Sequence, residues 1–523
     1  MPRPFQTLAL IVLLGAVACS PAAPAQPAAP AQPTAAKRAA SQVLRVAASA
    51  LVSNPSPERS ASGWSIYWNQ FDPLTQLDSK FAVQPSVATK WELQPDGKAW
   101  RFTIRQDMTF SNGDKLTAAD VEWTINHYVT NRLSPALAIP NMVGAKLVND
   151  TTVDILLRQP DVTIPNSGFG LWILPKAYYE SVGSDAFLLK PVGSGPYELA
   201  EFKRDDRMTY RLRTNYTHPF RKPNATEIQF RQLVEPSIQL AGIRTGEIDI
   251  VWSSFNADQA QKVKAEGLPV HATLSAQHSI LFDKNTIERN GSPLKDKRVR
   301  QALNYAVDKE SIAKSLFQGF AQPVGQLGLP GSMIWDTAIK PIPYDPARAK
   351  ALLAEAGYPN GFKIPGGIDS NPAFFSPQLL LATQDALRQV GVEVGLNSMD
   401  VATYIDVLNA RGGKTRNEML ITNMGDINGT FSGSMATVTC NRPAEAVFWC
   451  VPEFDRLMTL AFAEPDATKR GELGRAANRA YVEELTYLYL IAVPTIIFSS
   501  TKVKDLNIPG PGLWNLDSAY LTE

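Results

Sequence analysis

Apolar and polar positions along the chain change period repeatedly, and the changes predict strands alternating with helices. Val43, Leu44, Arg45, Val46 and Ala47 make a short, mostly apolar run of the kind that forms a buried first strand. Trp100, Phe102 and Ile104 alternate with polar neighbours at the period of two of a half-buried strand. Val121, Ile125, Tyr128 and Val129 follow at helical spacing, and Thr117 with Asp120 supplies a capping-box pattern just ahead of them. Val299, Leu303, Ala306 and Val307 share a helical face, and Asp308 is placed to cap a further helix carrying Ile312 and Leu316. Asp345-Pro346 starts another helix, which Gly357 ends. Pro377 to Gly391 gives one more, followed at once by the alternating strand Val392, Val394, Leu396. Helix, glycine, strand is the order of an α/β lobe.

The N-terminal pattern is of another kind. Arg3 is followed by an apolar run from about Leu8 to Val17, and Ala16-Val17-Ala18 places small residues before Cys19. This predicts an export signal over residues 1–18. Its apolar core of about ten residues is too short to cross a bilayer of roughly 30 Å as a helix, and no later segment is long enough. Residues 19–42 are mostly Ala, Pro and Gln, which cannot bury a core and stay extended as a tether. A folded body begins near Val43.

Composition narrows the function. At 523 residues, with 44% hydrophobic and 19% charged positions, the chain can build two or three lobes with cores of their own. Lysine plus arginine (51) nearly balance aspartate plus glutamate (50), so no basic excess points to nucleic acid.

The three cysteines divide into Cys19 and the pair Cys440 and Cys450. Cys19 is similar to the lipid-accepting cysteine of a bacterial lipobox, with Ala16 where that pattern prefers Leu; cleavage after Ala18 by ordinary signal peptidase is the alternative. In an oxidising compartment Cys440 and Cys450 are expected to form a disulfide, whose short loop is worth roughly 2–3 kcal/mol in the chain-entropy model. No histidine lies near that pair to complete a tetrahedral metal site.

Catalytic patterns do not emerge. None of His127, His218, His271 and His278 starts an HExxH sequence, and no serine occupies a Gly-x-Ser-x-Gly elbow. Gly413-Lys414-Thr415 looks like the end of a phosphate loop, but Leu408 stands where its first glycine is required. Paired acid–base carboxylates, which can come from any two points of a fold, stay open.

Spaced blocks along the chain carry a resemblance. Phe71-Asp72-Pro73-Leu74, Gln84 to Glu92, Trp100 to Arg105 and Phe110 to Val121 follow one another near the start. Gly193-Ser194-Gly195-Pro196-Tyr197, Gly246 to Asp249, Arg298 to Asp308, Tyr344 to Lys350 and Trp449-Cys450 come later. Together they resemble the family 5 extracellular solute-binding proteins, the dipeptide-, oligopeptide- and nickel-binding components of bacterial ABC importers. The blocks themselves read as scaffold, since their glycines suit tight turns and their Asp-Pro suits a helix start.

The resemblance implies an α/β, two-lobed periplasmic-binding-protein fold (type II, cluster C-like) with an extra domain inserted in the first lobe. Lobe I would take residues 43–72, 193–282 and 495–523, the inserted domain 73–192, and lobe II 283–494. It implies a non-enzymatic, cofactor-free monomer that captures oligopeptides or peptide-like solutes outside the cytoplasmic membrane. The protein would sit in the periplasm or lipid-anchored on the outer face of that membrane, and would serve a permease with ATPase subunits.

In peptide binders of the family an aspartate pairs with the ligand's amino group, and Asp426 matches its place, with Asn423 beside it. Met424 and Gly425 stand where the family often has an aromatic residue, and Ser370 replaces the arginine of dipeptide binders, so strict dipeptide specificity is not expected. Trp64, Tyr67, Trp68 and Phe374 are aromatic candidates for the pocket, with Phe375 beside the last. His278 is the one candidate for a direct metal contact, and metal sites usually need several. A sugar, an opine or chelated nickel is the alternative cargo; an extracellular hydrolase or a scaffold lipoprotein is the alternative of another class.

Overall fold

Thr117 caps the helix Ala118–Thr130 as the sequence predicts: its N–H donates to Asp120 Oδ2 at 2.9 Å and both halves of the capping box are present. The structure is a computed structural model that describes residues 38–523 except 60–62, 79, 138, 140, 254–256, 373, 410–415, 426–428, 432–433, 441–446 and 511–512. The proposed signal, Cys19 and the start of the tether lie outside the described residues, as do Asp426 and Gly413-Lys414-Thr415.

Other local expectations also hold. Asp308 caps Lys309–Leu316 by accepting from Ser311 N–H, and Asp345 caps Pro346–Glu355 by accepting from Arg348 N–H. Pro377–Gln389 leads into the strand Val392–Ser398. Val307 differs from its sequence expectation. It is extended and lies just past the helix Lys297–Ala306, because the chain must turn there before Asp308 can cap the next helix.

Among the described residues an 11-stranded sheet forms the frame. From one edge its main path runs Val392–Ser398, Phe362–Ser370, Met419–Met424, Val270–Phe282 and Tyr487–Ser499, then Ile250–Ser253, Val43–Ala48, Glu227–Gln232, Arg207–Leu212 and Tyr197–Lys203. Val43–Ala48 pairs in parallel with both its neighbours, as does Phe362–Ser370, the arrangement expected where helices connect the strands of an α/β lobe. A separate four-stranded antiparallel sheet takes Ala88–Leu93, Ala99–Ile104, Thr152–Leu157 and Met142–Asn149 in that order.

The two central strands, Val270–Phe282 and Tyr487–Ser499, are 13 residues each and run antiparallel. Every residue of Tyr487–Ser499 is buried, which accounts for its nearly unbroken apolar sequence. Their register slips between Leu274 and Ala276 and again between His278 and Ser279. Such bulges bend and twist a ribbon. One apolar core, with Leu44, Tyr67, Phe102, Phe230 and Trp514, packs on one part of this frame. A second, with Leu281, Leu303, Leu352, Ile368 and Ile421, packs on the other.

Conserving the geometry of this frame falls to the scaffold blocks. Asp249 accepts from the Arg45 backbone N–H at 2.9 Å and from its guanidinium at 2.8 and 2.9 Å, tying two parallel strands together. Gly195 donates its N–H to Gln70 O at 2.8 Å, and a Cβ on it would stand 2.5 Å from the Gln70 carbonyl carbon, so only glycine permits that approach.

Candidate functional site

The helix Trp64–Gln70 carries Trp64 and Trp68 one turn apart, on one face. Phe169 stacks on Trp64 at 5.1 Å, with 9° between the rings, and lies 5.7 Å from Trp68. Trp172 closes the cluster at 5.8 Å from Trp64 and 6.0 Å from Trp68. Gly170 makes this possible, since a Cβ there would stand 2.6 Å from Trp64 Cη2. Trp64, Trp68 and Phe169 wall a cavity of about 430 Å³, together with Trp514, Asp78 and Asp517. Its size and mixture of apolar walls with a few polar groups fall within the range of small-molecule sites.

The floor is charged and rigid. Arg221 and Asp72 are buried and paired at 2.7 Å, and Arg221 Nε donates to Asp517 Oδ2 at 2.8 Å. Arg221 also donates to Trp68 O at 2.6 Å, and its guanidinium lies 4.8 Å from the Trp68 ring. Trp68 Nε1–H donates to Asp517 Oδ2 at 3.1 Å. Buried charges are tolerated when paired and hydrogen-bonded; Arg221 meets both conditions, and Asp72 meets them through Oδ1, its Oδ2 having no hydrogen-bond partner among the described residues. Asp78 is held below the usual carboxylate range, first by the Lys80 backbone N–H and then by that of Ala82, so it stays ionised at the cavity wall.

A family model described as "Bacterial extracellular solute-binding proteins, family 5 Middle" matches residues 82–442. The chain belongs to the bacterial extracellular solute-binding proteins of family 5. Glutathione-binding protein GsiB of Pectobacterium atrosepticum is 26% identical over 468 residues, which are 87% of this chain and 88% of that protein. Among solved structures, the ABC transporter-associated periplasmic binding protein DppA of Helicobacter pylori, in complex with the peptide STSA, matches with TM-score 0.79 at 21% identity, over 92% of this chain and 98% of that one. AgaA of A. tumefaciens R10, in complex with agropinic acid, matches with TM-score 0.78 at 20% identity, over 92% and 99%. The two-lobed fold and the role of substrate-binding component of an ABC importer follow for this chain.

In this family 5 protein the other expected site residues lie on the central strand Val270–Phe282, on its neighbour Met419–Met424 and in or against the second core. Asn423 lies on the strand Met419–Met424, exposed, directly across from His278. His278 is buried, with its ring edge-on to Phe375 at 5.1 Å, and burial pushes its pKa down to about 3. Phe374 is half-buried against Phe375 and Tyr404, at 6.3 and 5.9 Å. The structure thus brings Trp64 and Trp68 together in one group and Asn423, His278, Phe374 and Phe375 in another.

Tyr67 departs from expectation: it is 1% exposed and belongs to the first core. The helical turn of about 100° per residue carries it off the Trp68 face, toward Gly63, whose missing side chain leaves room for its ring. Phe169, Arg221, Trp514 and Asp517 were missed by sequence reasoning. Their neighbours along the chain carry no periodic or motif signal, so no local pattern could have found them. Among the described residues no group of three His, Cys, Asp or Glu side chains converges as metal ligands, and no helix is long and apolar enough to cross a membrane.

Two contacts among the described residues join segments far apart in the chain. Val162 N–H donates to Phe462 O at 2.7 Å. Phe81, at a φ of 60° that is rare for a bulky side chain, presses on Gly429, where a Cβ would stand 2.9 Å from its ring.

Proposed function

We propose that this family 5 protein captures a short peptide or peptide-like solute between its two lobes and releases it to the permease of its importer. The observation that carries the reading is the cavity walled by Trp64, Trp68, Phe169 and Trp514 over an ion-paired floor, whose lining belongs to the lobe I and inserted-domain segments and forms their side of the cleft in this reading. Tryptophan offers large contact area without demanding one ligand side chain, and the polar groups at the edge orient a backbone. The names of similar proteins support the same class: the relatives are glutathione-binding proteins, and DppA of Helicobacter pylori holds a tetrapeptide.

In this reading Asp426 pairs with the ligand's free amino group, and Asn423 and Phe374 face the ligand from lobe II. Lobe I takes residues 43–72, 193–282 and 495–523, the inserted domain 73–192, and lobe II 283–494. The central strands act as the hinge, because they lie in the middle of the great sheet and their bulges let them bend. The signal over residues 1–18 exports the chain, Cys19 takes a lipid, and the tether over 19–42 holds a monomeric body near the permease on the outer side of the cytoplasmic membrane.

The test is mass spectrometry of small molecules that co-purify with the protein and are released by denaturation, followed by calorimetry with what is found. Glutathione or a ladder of short peptides is the expected result. An opine, a sugar or a metal chelate as the sole bound species, with no heat from any peptide, would overturn the peptide assignment.

A further inference from the structure

Asp78 lines the aromatic cavity and pairs with no cation among the described residues; Lys80 acts on it only through space. Its Oδ1 accepts the Lys80 N–H at 2.8 Å and the Ala82 N–H at 3.0 Å, and its Oδ2 accepts the Gln84 side-chain amide at 3.2 Å. A carboxylate offers about four acceptor positions, so Asp78 keeps room for a further donor. The neighbouring carboxylates are committed. Asp517 accepts from Arg221 at both oxygens and from the Trp68 indole N–H at one, while Asp72 pairs with Arg221 and also acts on Arg213. The floor is therefore balanced, Asp72 and Asp517 against Arg221 and Arg213, and Asp78 stands outside that balance.

The walls suit a cation. Trp64, Trp68, Phe169 and Trp514 line the same cavity, and Phe220 adds a ring that is 59% exposed. Aromatic faces attract ammonium and guanidinium groups, most strongly where water is displaced. The protein already uses this attraction at the site, where the Arg221 guanidinium lies 4.8 Å from the Trp68 ring. A volume of about 430 Å³ has room for a lysine or arginine side chain. A neutral apolar side chain would satisfy the walls but would cover an ionised carboxylate with no counter-charge, which is costly, and an acidic one would be repelled. Lys222 borders the cavity too, but it is exposed, so water and salt screen its charge.

We propose that the aromatic cavity takes a cationic side chain of the solute, lysine- or arginine-like, with its charge on Asp78. The inference rests on the reading that a short peptide is captured at this cavity, and it adds a preference for peptides that carry such a side chain; the α-amino group stays with Asp426. Asp78 is then a specificity-determining residue. The turn it holds also carries Phe81, which presses on Gly429, so the solute's charge sits beside a contact that joins segments far apart in the chain.

The experiment is calorimetry on the whole protein with the tripeptides Ala-Lys-Ala, Ala-norleucine-Ala and Ala-Glu-Ala, at low and high salt. Norleucine keeps the apolar stem of lysine but lacks its ammonium. The lysine peptide should bind about tenfold more tightly than the norleucine peptide, and the glutamate peptide most weakly. The lysine-to-norleucine ratio should shrink in high salt and fall to about one in Asp78→Asn, whose side-chain oxygen can still accept the Lys80 and Ala82 N–H groups. Equal affinities for the lysine and norleucine peptides in the unaltered protein, or a ratio that Asp78→Asn retains, would overturn the cationic assignment and leave peptide capture standing. Binding of none of the tripeptides would instead remove peptide capture itself, and this inference with it. Should Asp78→Asn fail to fold, a crystal structure of the lysine-peptide complex decides: an ammonium within about 4 Å of the Asp78 carboxylate supports the assignment, and one placed elsewhere overturns it.

Discussion

Trp68 donates its indole N–H to the carboxylate of Asp517, 449 positions along the chain, at 3.1 Å. The bond ties the helix that walls the cavity to the C-terminal segment, and Arg221 binds both sides of the joint. The cavity wall therefore depends on residues that meet only in the folded chain.

The first prediction concerns that joint. Arg221→Met leaves Asp72 buried with no counter-charge, and removing one partner of a buried pair typically costs about 3–5 kcal/mol. Urea unfolding of Arg221→Met should show such a loss. A change below about 1 kcal/mol would mean that the pair does not hold the floor.

Phe81 and Gly429 give a second prediction, concerning closure. Phe81→Gly removes the ring that presses on Gly429 and also relieves a backbone angle that suits glycine. Affinity for the captured solute should fall about tenfold, or about 1.4 kcal/mol, because the closed state loses a contact, beyond any stability lost with the packing of Phe81 on the first core. Calorimetry on both proteins checks this. Equal affinities would show that the contact plays no part in closure.

The third prediction is a pH dependence centred on His278. With its pKa pushed down to about 3 from 6.5, the folded ring stays neutral where the unfolded chain takes up a proton. Unfolding therefore binds a proton below about pH 6.5, and stability falls as the pH drops from there toward 3, by up to about 1.4 kcal/mol per unit. Urea midpoints at pH 7.5 and pH 4.5 should differ less in His278→Phe than in the parent protein. Parallel slopes for the two would place the acid sensitivity elsewhere.

A fourth concerns the disulfide, which joins Cys440 and Cys450. Closing a loop this short should contribute roughly 2–3 kcal/mol, and Asp455 on the following helix holds the Cys440 N–H at 2.8 Å. Replacing both cysteines with serine should lower the urea midpoint accordingly. Unchanged midpoints would mean that Asp455 and the stacking of Trp449 on Arg300, at 4.2 Å, suffice to hold the segment.

The elements were legible because their causes are local. A capping aspartate such as Asp308 acts within three residues of itself, and the alternation of Val392, Val394 and Leu396 needs only a sheet to lie on. Tyr67 shows the limit: three residues from Trp64 and adjacent to Trp68, it has the same aromatic character in sequence, yet only packing against Gly63 and the first core decides that it is buried. Asn423 is a milder case, since the strand beneath it runs on to Met424 only because His278 and Gln277 offer partners.

By itself the sequence determined the alternation of strand and helix, the helix caps, the family and hence the transport role, since all of these reside in short spans or in the order of blocks along the chain. Tertiary structure alone decided that Trp64 and Trp68 share a cavity with Trp514 and Asp517, and that Arg221 is the cation beneath it. The reason is physical: burial and charge pairing depend on which distant segments the great sheet sets side by side, and no period or motif encodes a distance of hundreds of residues.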